Sequence, residues 1–579
     1  MSAAPIPHAW NVAAADTLPG QAPQHAGRNS DFDPSAFRDV FEHRFTWAAA
    51  FERNTHRYGN RTALTDSTTG RSWTYRELGV VVGRLVTGLR ERGIGTGSIV
   101  AYQLMNVPEF AFLYTAAQGL RAVSSPMNFR LAPAEVAHVL DASTPAVFLY
   151  DARADVETTK ALKLARHRPD LIVAVGEGEP IAGAIRFAEL LDNDGPTFHV
   201  PADATVWDET SRLYTSGTTG MPKAVPLTSL NETLSAHDVV MHFPLAPDDK
   251  TMNMSPWFHR GGNYCAGPNT MFFVGGESVT LPHFDPDLVL DHVQNHGLTY
   301  VIGAPTNLER LADAQEARPR DLSSLRGIVT MGAPLSHDAA LRYQRVLTPR
   351  IANGYGTTEA FWNTYLRPED LPQAAGAAGR ACLDDDVAVV RVYADRVATP
   401  DDTVAHDGQE IGEVIMRSVK SGYGYMHNPE EEAKKFHHGW LYPGDLATWD
   451  DDEMVTVIGR KDDMIISGGE NVHPVQVEEV LAGHPDVADS IVVGLPDEEW
   501  GELVVAYVQP REGKFTNPQV AATALDAFCR ASDLIAGYKK PRRYAFVDEL
   551  PYTATGKKQH FVMKERTAAD AEAGILLTP

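Results

Sequence analysis

Cysteine is nearly absent: Cys265, Cys382 and Cys529 are the three in 579 residues, and they are widely spaced. Such spacing excludes a disulfide framework and offers no CxxC knuckle for a metal, so a reducing cytoplasm is the expected setting. No apolar run approaches the roughly 20 residues needed to cross a bilayer. The first residues lack the basic start and apolar stretch of a secretory signal. Residues 1–35, rich in Ala, Pro and Gly, are read as a loosely ordered lead-in. Positive charge is also scarce, with 51 Lys and Arg against 76 Asp and Glu and a net charge of −25. A phosphate backbone needs a basic face, so nonspecific nucleic-acid binding is excluded. Any polyanionic substrate must therefore be held by local donors. HExxH, a Walker GxxxxGK[ST] and a GxGxxG following a strand are all missing, which removes the zinc peptidase, P-loop and dinucleotide oxidoreductase readings.

What is present is alternation. Residues 98–104, 122–127 and 146–151 read as strands; 108–120, opening on Pro108, and 133–141 read as helices. Further buried strands are expected at 298–305 and 325–334. This pattern predicts an α/β fold: a large N-terminal domain of several subdomains, over 36–459, with mixed sheets covered by helices. Beyond about residue 460 the texture changes. A Gly- and charge-rich stretch at 460–470 reads as a hinge. Residues 471–579 then alternate two helices with three strands, the mark of a small mobile α+β domain.

The chemistry concentrates in five segments. Leu213–Val225 (LYTSGTTGMPKAV) sets Thr215, Ser216, Thr218 and Thr219 around Gly217 and Gly220, with Lys223 following. Glycines allow backbone N–H groups close to phosphate oxygens, hydroxyls add donors, and a lysine adds charge. Asn353–Glu359 (NGYGTTE) joins an aromatic ring to a carboxylate, and Met331–Leu335 (MGAPL) lies upstream of it. His438–Asp445 (HGWLYPGD), Gly459–Pro474 (GRKDDMIISGGENVHP) and Lys539–Gln559, which contains Thr555-Gly556-Lys557, complete the set.

These segments, in this order, resemble the signatures of the adenylate-forming (AMP-binding) superfamily, in its acyl-CoA synthetase branch. The resemblance spans about residues 45–565. It implies an ATP-dependent acid–CoA ligase that makes an acyl-adenylate, releases pyrophosphate, and passes the acyl group to coenzyme A. The alternative acceptor is an amine or a free-standing carrier protein. It also implies the roles. The loop from Thr215 to Gly220, with Lys223, holds the ATP phosphates. Gly332 and Ala333 leave room for adenine, on which Tyr355 stacks, with Asn353 and Gly356 in the same motif. Thr358 donates to the α-phosphate and Glu359 holds Mg²⁺. Asp445 bonds the ribose, and Pro443 stands where the family usually has Thr, so one polar contact is expected to be lost. Arg460 contacts ribose or phosphate, Asp462 is the pivot, and Gly468 and Gly469 line the pantetheine tunnel.

Lys557 is the lysine that enters the active site during adenylation, while Lys558 is read as solvated. Lys539, Lys540, Arg542 and Arg543 either face coenzyme A phosphates or offset nearby carboxylates. In Ser255–Gly262 (SPWFHRGG), His259 gates the acid pocket or sits near the carboxylate. Trp257, Thr306, Phe361 and Trp362 are its candidate walls, favouring a compact aromatic or short branched acid. The partners are thus a small carboxylic acid, ATP and coenzyme A. The oligomeric state is left open.

Overall fold

The computed structural model describes residues 34–216, 221–393, 395–467, 470–498, 500–532, 535–553 and 557–579. The alternation over 98–151 is realised as expected: strands Ile99–Gln103, Val123–Pro126 and Val147–Asp151 alternate with helices Pro108–Leu120 and Pro133–Ser143. All three strands pair in parallel. They belong to a seven-stranded sheet that ends on an antiparallel hairpin, Glu209–Ser216 with Pro222–Thr228. Local chemistry sets the boundaries. Helix Tyr75–Arg90 starts at a reciprocal cap, in which Thr74 Oγ1 accepts from Glu77 N and Glu77 Oε2 accepts from Thr74 N at 2.8 Å. Its Leu78, Val82, Leu85 and Leu89 are fully buried, at the spacing of one helical face.

A second, nine-stranded sheet carries the site. Strands Lys250–Asn253, Tyr300–Gly303, Gly327–Met331 and Ile351–Thr357 run side by side in parallel. Their carboxyl ends lead directly to Ser255–Gly262, to Thr306, to Gly332 and to Thr358–Glu359. In open α/β sheets ligands bind at such ends, because the loops there converge while the strands fix their spacing. Phe361–Leu366 returns antiparallel to Ile351–Thr357, so Thr358 and Glu359 occupy the tip of a hairpin. A Cβ on Gly356 would fall 1.7 Å from the Phe361 carbonyl oxygen, so only glycine permits this close return.

Two further sheets follow among the described residues. One has six strands within 385–460 and is antiparallel throughout. The other has five strands between Ile465 and Phe546. The small terminal unit packs Val477, Leu481, Val492, Val504, Leu525 and Tyr544 into its own core. Two helices and three strands were expected in this stretch; it holds the helices Pro474–Ala482, Pro518–Ala531 and His560–Glu572 and the five strands of this sheet. No helix among the described residues is long and apolar enough to cross a membrane.

Candidate active site

The Thr358–Glu359 hairpin tip is clamped from behind. Arg260, 2 % exposed, donates to the carbonyl oxygens of Thr358 (3.0 Å), Glu359 (3.1 Å) and Lys420 (2.6 Å), and to Ser235 Oγ (3.1 Å). Burial pushes its pKa down to about 10, which leaves it a cation at neutral pH. Lys420, equally buried, binds Asp238 and Asp385 at 2.8 Å each and the Trp362 carbonyl at 3.0 Å. Two buried cations thus lock the hairpin to the helix Ser229–His242 and to the six-stranded sheet. Buried ions of this kind persist when most of their donors are used, and they favour one geometry over others; Arg260 Nε is the one guanidinium nitrogen without a partner among the described residues. With its backbone fixed, Glu359 (7 % exposed) accepts the Tyr425 hydroxyl on Oε1 at 2.6 Å. No described residue donates to Oε2.

A second acidic centre lies alongside. Asp445 accepts from Tyr355 Oη on Oδ2 and from Arg460 on Oδ1, both at 2.6 Å. The carboxylate raises the Tyr355 hydroxyl pKa, after burial as the larger cause, and it raises that of the Arg460 guanidinium. Pro443 supplies no side-chain donor, but its carbonyl accepts Lys435 Nζ at 2.8 Å.

Lys557 reaches this place from the terminal unit. Its Cε lies 3.8 Å from where a Cβ on Gly332 would stand, and Gly332 has φ +88°. The side chain keeps solvent contact by area yet is surrounded by protein, as in an open cleft. Desolvation there lowers the ammonium pKa; Asp445 and Glu359 oppose the shift and Arg460 adds to it. The partly exposed His259 feels the same cleft. Desolvation, with Lys557 adding repulsion, pushes its imidazole down to about 3, so it is neutral at pH 7. A cleft therefore gathers a lysine, two carboxylates, an arginine, a tyrosine and a neutral histidine from residues 259 to 557.

The AMP-binding enzyme family model matches residues 51–426, and the AMP-binding enzyme C-terminal domain model matches residues 476–557. The chain belongs to the AMP-binding enzyme family. A feruloyl-CoA synthase from Amycolatopsis sp is 35 % identical over 492 residues, covering 84 % of this chain and 92 % of its own length. The solved structure of the anthranilate CoA ligase AuaEII with anthranoyl-AMP superposes at TM-score 0.80, with 26 % identity, over 91 % of this chain and 98 % of that one. The amide bond synthetase McbA from Marinactinospora thermotolerans superposes at TM-score 0.75, with 26 % identity, over 90 % and 99 %.

Within this AMP-binding enzyme, several sequence expectations meet a different geometry. Lys223 is 8 % exposed and ion-paired to Glu431, which also takes Lys434 at 2.7 Å, so its charge is already neutralised. Trp257 is fully buried against Phe110 in the first core. Phe361 and Trp362 (4 % and 3 % exposed) pack in another core, with Trp362 Nε1 donating to Asp238. All three rings are thus packed into hydrophobic clusters of the larger unit. Thr306 is exposed at the start of helix Pro305–Ala317. Asn353 is buried within its strand, with Oδ1 lacking a hydrogen-bond partner. Ala333 is partly exposed beside Gly332, and Asp462 is exposed in a turn. Thr215 pairs with Lys223 across the hairpin. Gly217, Thr218, Thr219, Gly220, Gly468 and Gly469, and the side chain of Ser216, lie outside the described residues.

Lys558 is not solvated: it binds Glu478 at 2.9 Å and Asp489 at 2.8 Å. Arg260 and Tyr425 were missed altogether. Arg260 stands beside His259 in a quoted segment, but a residue whose partners are backbone carbonyls leaves no motif. Tyr425 left no sequence signal.

Proposed function

We propose that the protein is an AMP-forming acid–CoA ligase that couples ATP to thioester formation with an aromatic carboxylic acid. The carrying observation is the approach of Lys557, from the terminal unit, to the cleft shared by Glu359 and Asp445. The names of the feruloyl-CoA synthase and the anthranilate CoA ligase support coenzyme A as acceptor and an aromatic acid as substrate, while other relatives are named for 2-methylpropanoate and long-chain fatty acids.

A carboxylate does not acylate thiols at neutral pH, because its leaving group is too poor. In the first step its oxygen attacks the α-phosphorus of ATP. The bond to the β-phosphate oxygen breaks, and pyrophosphate leaves with that electron pair. Charge builds on the α-phosphate oxygens, where Thr358 and the Lys557 ammonium act as fixed donors. Asp445 accepts from the ribose hydroxyls, with Arg460 holding it in place, and the Tyr355 ring flanks the adenine that Gly332 and Ala333 admit. Glu359 fits a hard divalent cation such as Mg²⁺, since it is a buried carboxylate with one oxygen left by its neighbours. When bound, that ion neutralises phosphate charge. Neutral His259 leaves the acid's carboxylate as the anion in its part of the cleft.

In the second step the coenzyme A sulfur attacks the acyl carbon, the bond to AMP breaks, and the thiol proton passes to solvent. Lys557 must first withdraw, by rotation of the terminal unit about the exposed turn at Asp462. A motion of this kind is a gate, and gates often limit turnover. The 217–220 loop belongs to the phosphates and Gly468-Gly469 to the pantetheine tunnel in this scheme.

The amide bond synthetase among the structural relatives supports a second reading, in which an amine is the acceptor. AMP release is measured with ATP across aromatic, branched and fatty acids, with coenzyme A or an amine as acceptor. Release that needs both an aromatic acid and coenzyme A is expected. Release driven by amines alone would replace the acceptor, and a preference for long unbranched acids would replace the acid class.

A further inference from the structure

Lys557 and its described neighbours are tied by hydrogen bonds. Thr553 N donates to the Lys557 carbonyl at 2.7 Å, Lys557 N donates to Thr553 Oγ1 at 3.0 Å, and Gln559 N donates to the Pro551 carbonyl at 3.0 Å. Tyr552 and Lys558 form an antiparallel bridge. Successive side chains of extended backbone point to opposite sides. As Lys557 reaches out to the cleft, Lys558 turns back into its own domain.

There Lys558 meets Glu478, 5 % exposed on helix Pro474–Ala482, at 2.9 Å, and Asp489 at 2.8 Å. Glu478 Oε1 is also within 2.7 Å of His560 Nε2 and accepts Val492 N at 2.8 Å. The other imidazole nitrogen, Nδ1, stands 4.0 Å from Asp463, the residue after Asp462. Burial alone would raise the Glu478 pKa; Lys558 and His560 outweigh it and hold the carboxyl down at about 2. Glu478 is therefore the acceptor at the centre of one network, which joins the loop of Lys557 to the turn of Asp462.

We propose that Lys558, seated on Glu478 and Asp489, is a positioning residue for adenylate formation: it fixes the base of the loop that presents Lys557, and His560 with Asp463 couples that base to the pivot turn. This rests on the role given to Lys557 above. The seat serves the first half-reaction only, because Lys557 has left the cleft when the thiol attacks. A pair that merely stabilised the terminal domain would affect both half-reactions alike.

The test uses the full chain with Lys558→Met, which keeps length without charge, Lys558→Arg, and Lys557→Ala as reference. Acid-dependent pyrophosphate exchange reads the first half-reaction; thioester formation from supplied acyl-adenylate reads the second. A displacement of about 1 Å at a catalytic group costs on the order of 100-fold. Lys558→Met is therefore expected to slow exchange by about 10- to 100-fold and to leave the second half-reaction within about twofold. Lys558→Arg restores most of the exchange rate.

Asp489→Asn removes one of the two partners from the less buried side, and serves if Lys558→Met does not fold. It is expected to show the same selectivity at a smaller size. Equal loss in both half-reactions, or no loss in either, while Lys557→Ala is selective, overturns the inference alone. A Lys557→Ala enzyme without selective loss removes the reading beneath it, and the inference with it.

Discussion

Arg260→Met separates the hairpin clamp from the chemistry it supports. The substitution strips a charge-assisted donor from three backbone carbonyls, those of Thr358, Glu359 and Lys420. The Glu359 carbonyl keeps the Gly422 N–H at 2.8 Å, so two buried acceptors are left unmatched, and at about 1–3 kcal/mol each the gross loss is roughly 2–6 kcal/mol. Against this, the guanidinium is itself an expensive guest. Its pKa is lowered from 12.5 to about 10, which at about 1.4 kcal/mol per pH unit returns roughly 3 kcal/mol when the cation is removed. A net destabilisation of about 1 kcal/mol is expected, below the usual cost of breaking a buried ion pair because the guanidinium's own desolvation is relieved.

The thermal midpoint of the larger unit should fall by about 2–4 °C, at the few degrees per kcal/mol typical of large domains. Below that midpoint the looser hairpin tip should raise the magnesium concentration needed for half-maximal pyrophosphate exchange. Arg260→Lys keeps the charge but cannot span carbonyls on both sides with a rigid fork, so it should fall between the two. An Arg260→Met protein with unchanged midpoint and unchanged magnesium dependence would refute the clamp.

Other expectations follow from the same geometry. Glu359→Gln keeps an oxygen for the Tyr425 hydroxyl but removes the charge offered to the cation, so magnesium dependence should steepen by about tenfold or more, as loss of a buried charged ligand implies. Magnesium titration of the exchange rate reads it, and an unaltered curve argues against metal ligation. The desolvated Lys557 should lose its proton below the ordinary lysine range. Because the ammonium is the active form, exchange should fall as pH rises through that lowered pKa, and the fall should come at lower pH than for an exposed lysine. A flat alkaline profile would be inconsistent with a cationic role. Asp462→Pro, which stiffens the pivot, should let acyl-adenylate accumulate while thioester formation slows. A normal thioester rate would place the hinge elsewhere.

The parallel core was legible because its strands are apolar runs and its helices carry a start signal, as at Pro108 and Pro133. Glu359 and Asp445 could be singled out because carboxylates beside Gly-rich turns form compact motifs. The six-stranded sheet was not, since strands as short as Phe436–His437 and Trp440–Leu441 show no period to read. For Trp257, Phe361 and Trp362 the sequence shows aromatic bulk but not which neighbours bury it. Lys223 and Lys558 share one difficulty: a lysine's charge is visible in sequence, whereas Glu431 and Glu478, which pair with it, are brought near only by folding. The pairing of Lys557 with Gly332 is of this long-range kind, and only the resemblance to a family announced it.

The most direct measurement compares Lys557→Ala with the parent enzyme in two assays, acid-dependent pyrophosphate exchange and thioester formation from supplied acyl-adenylate. Loss of a preorganised donor to developing charge costs about 100- to 1,000-fold, so exchange should drop by about that factor while the thioester step stays within about twofold. Equal rates in both proteins, or equal loss in both assays, would contradict the account.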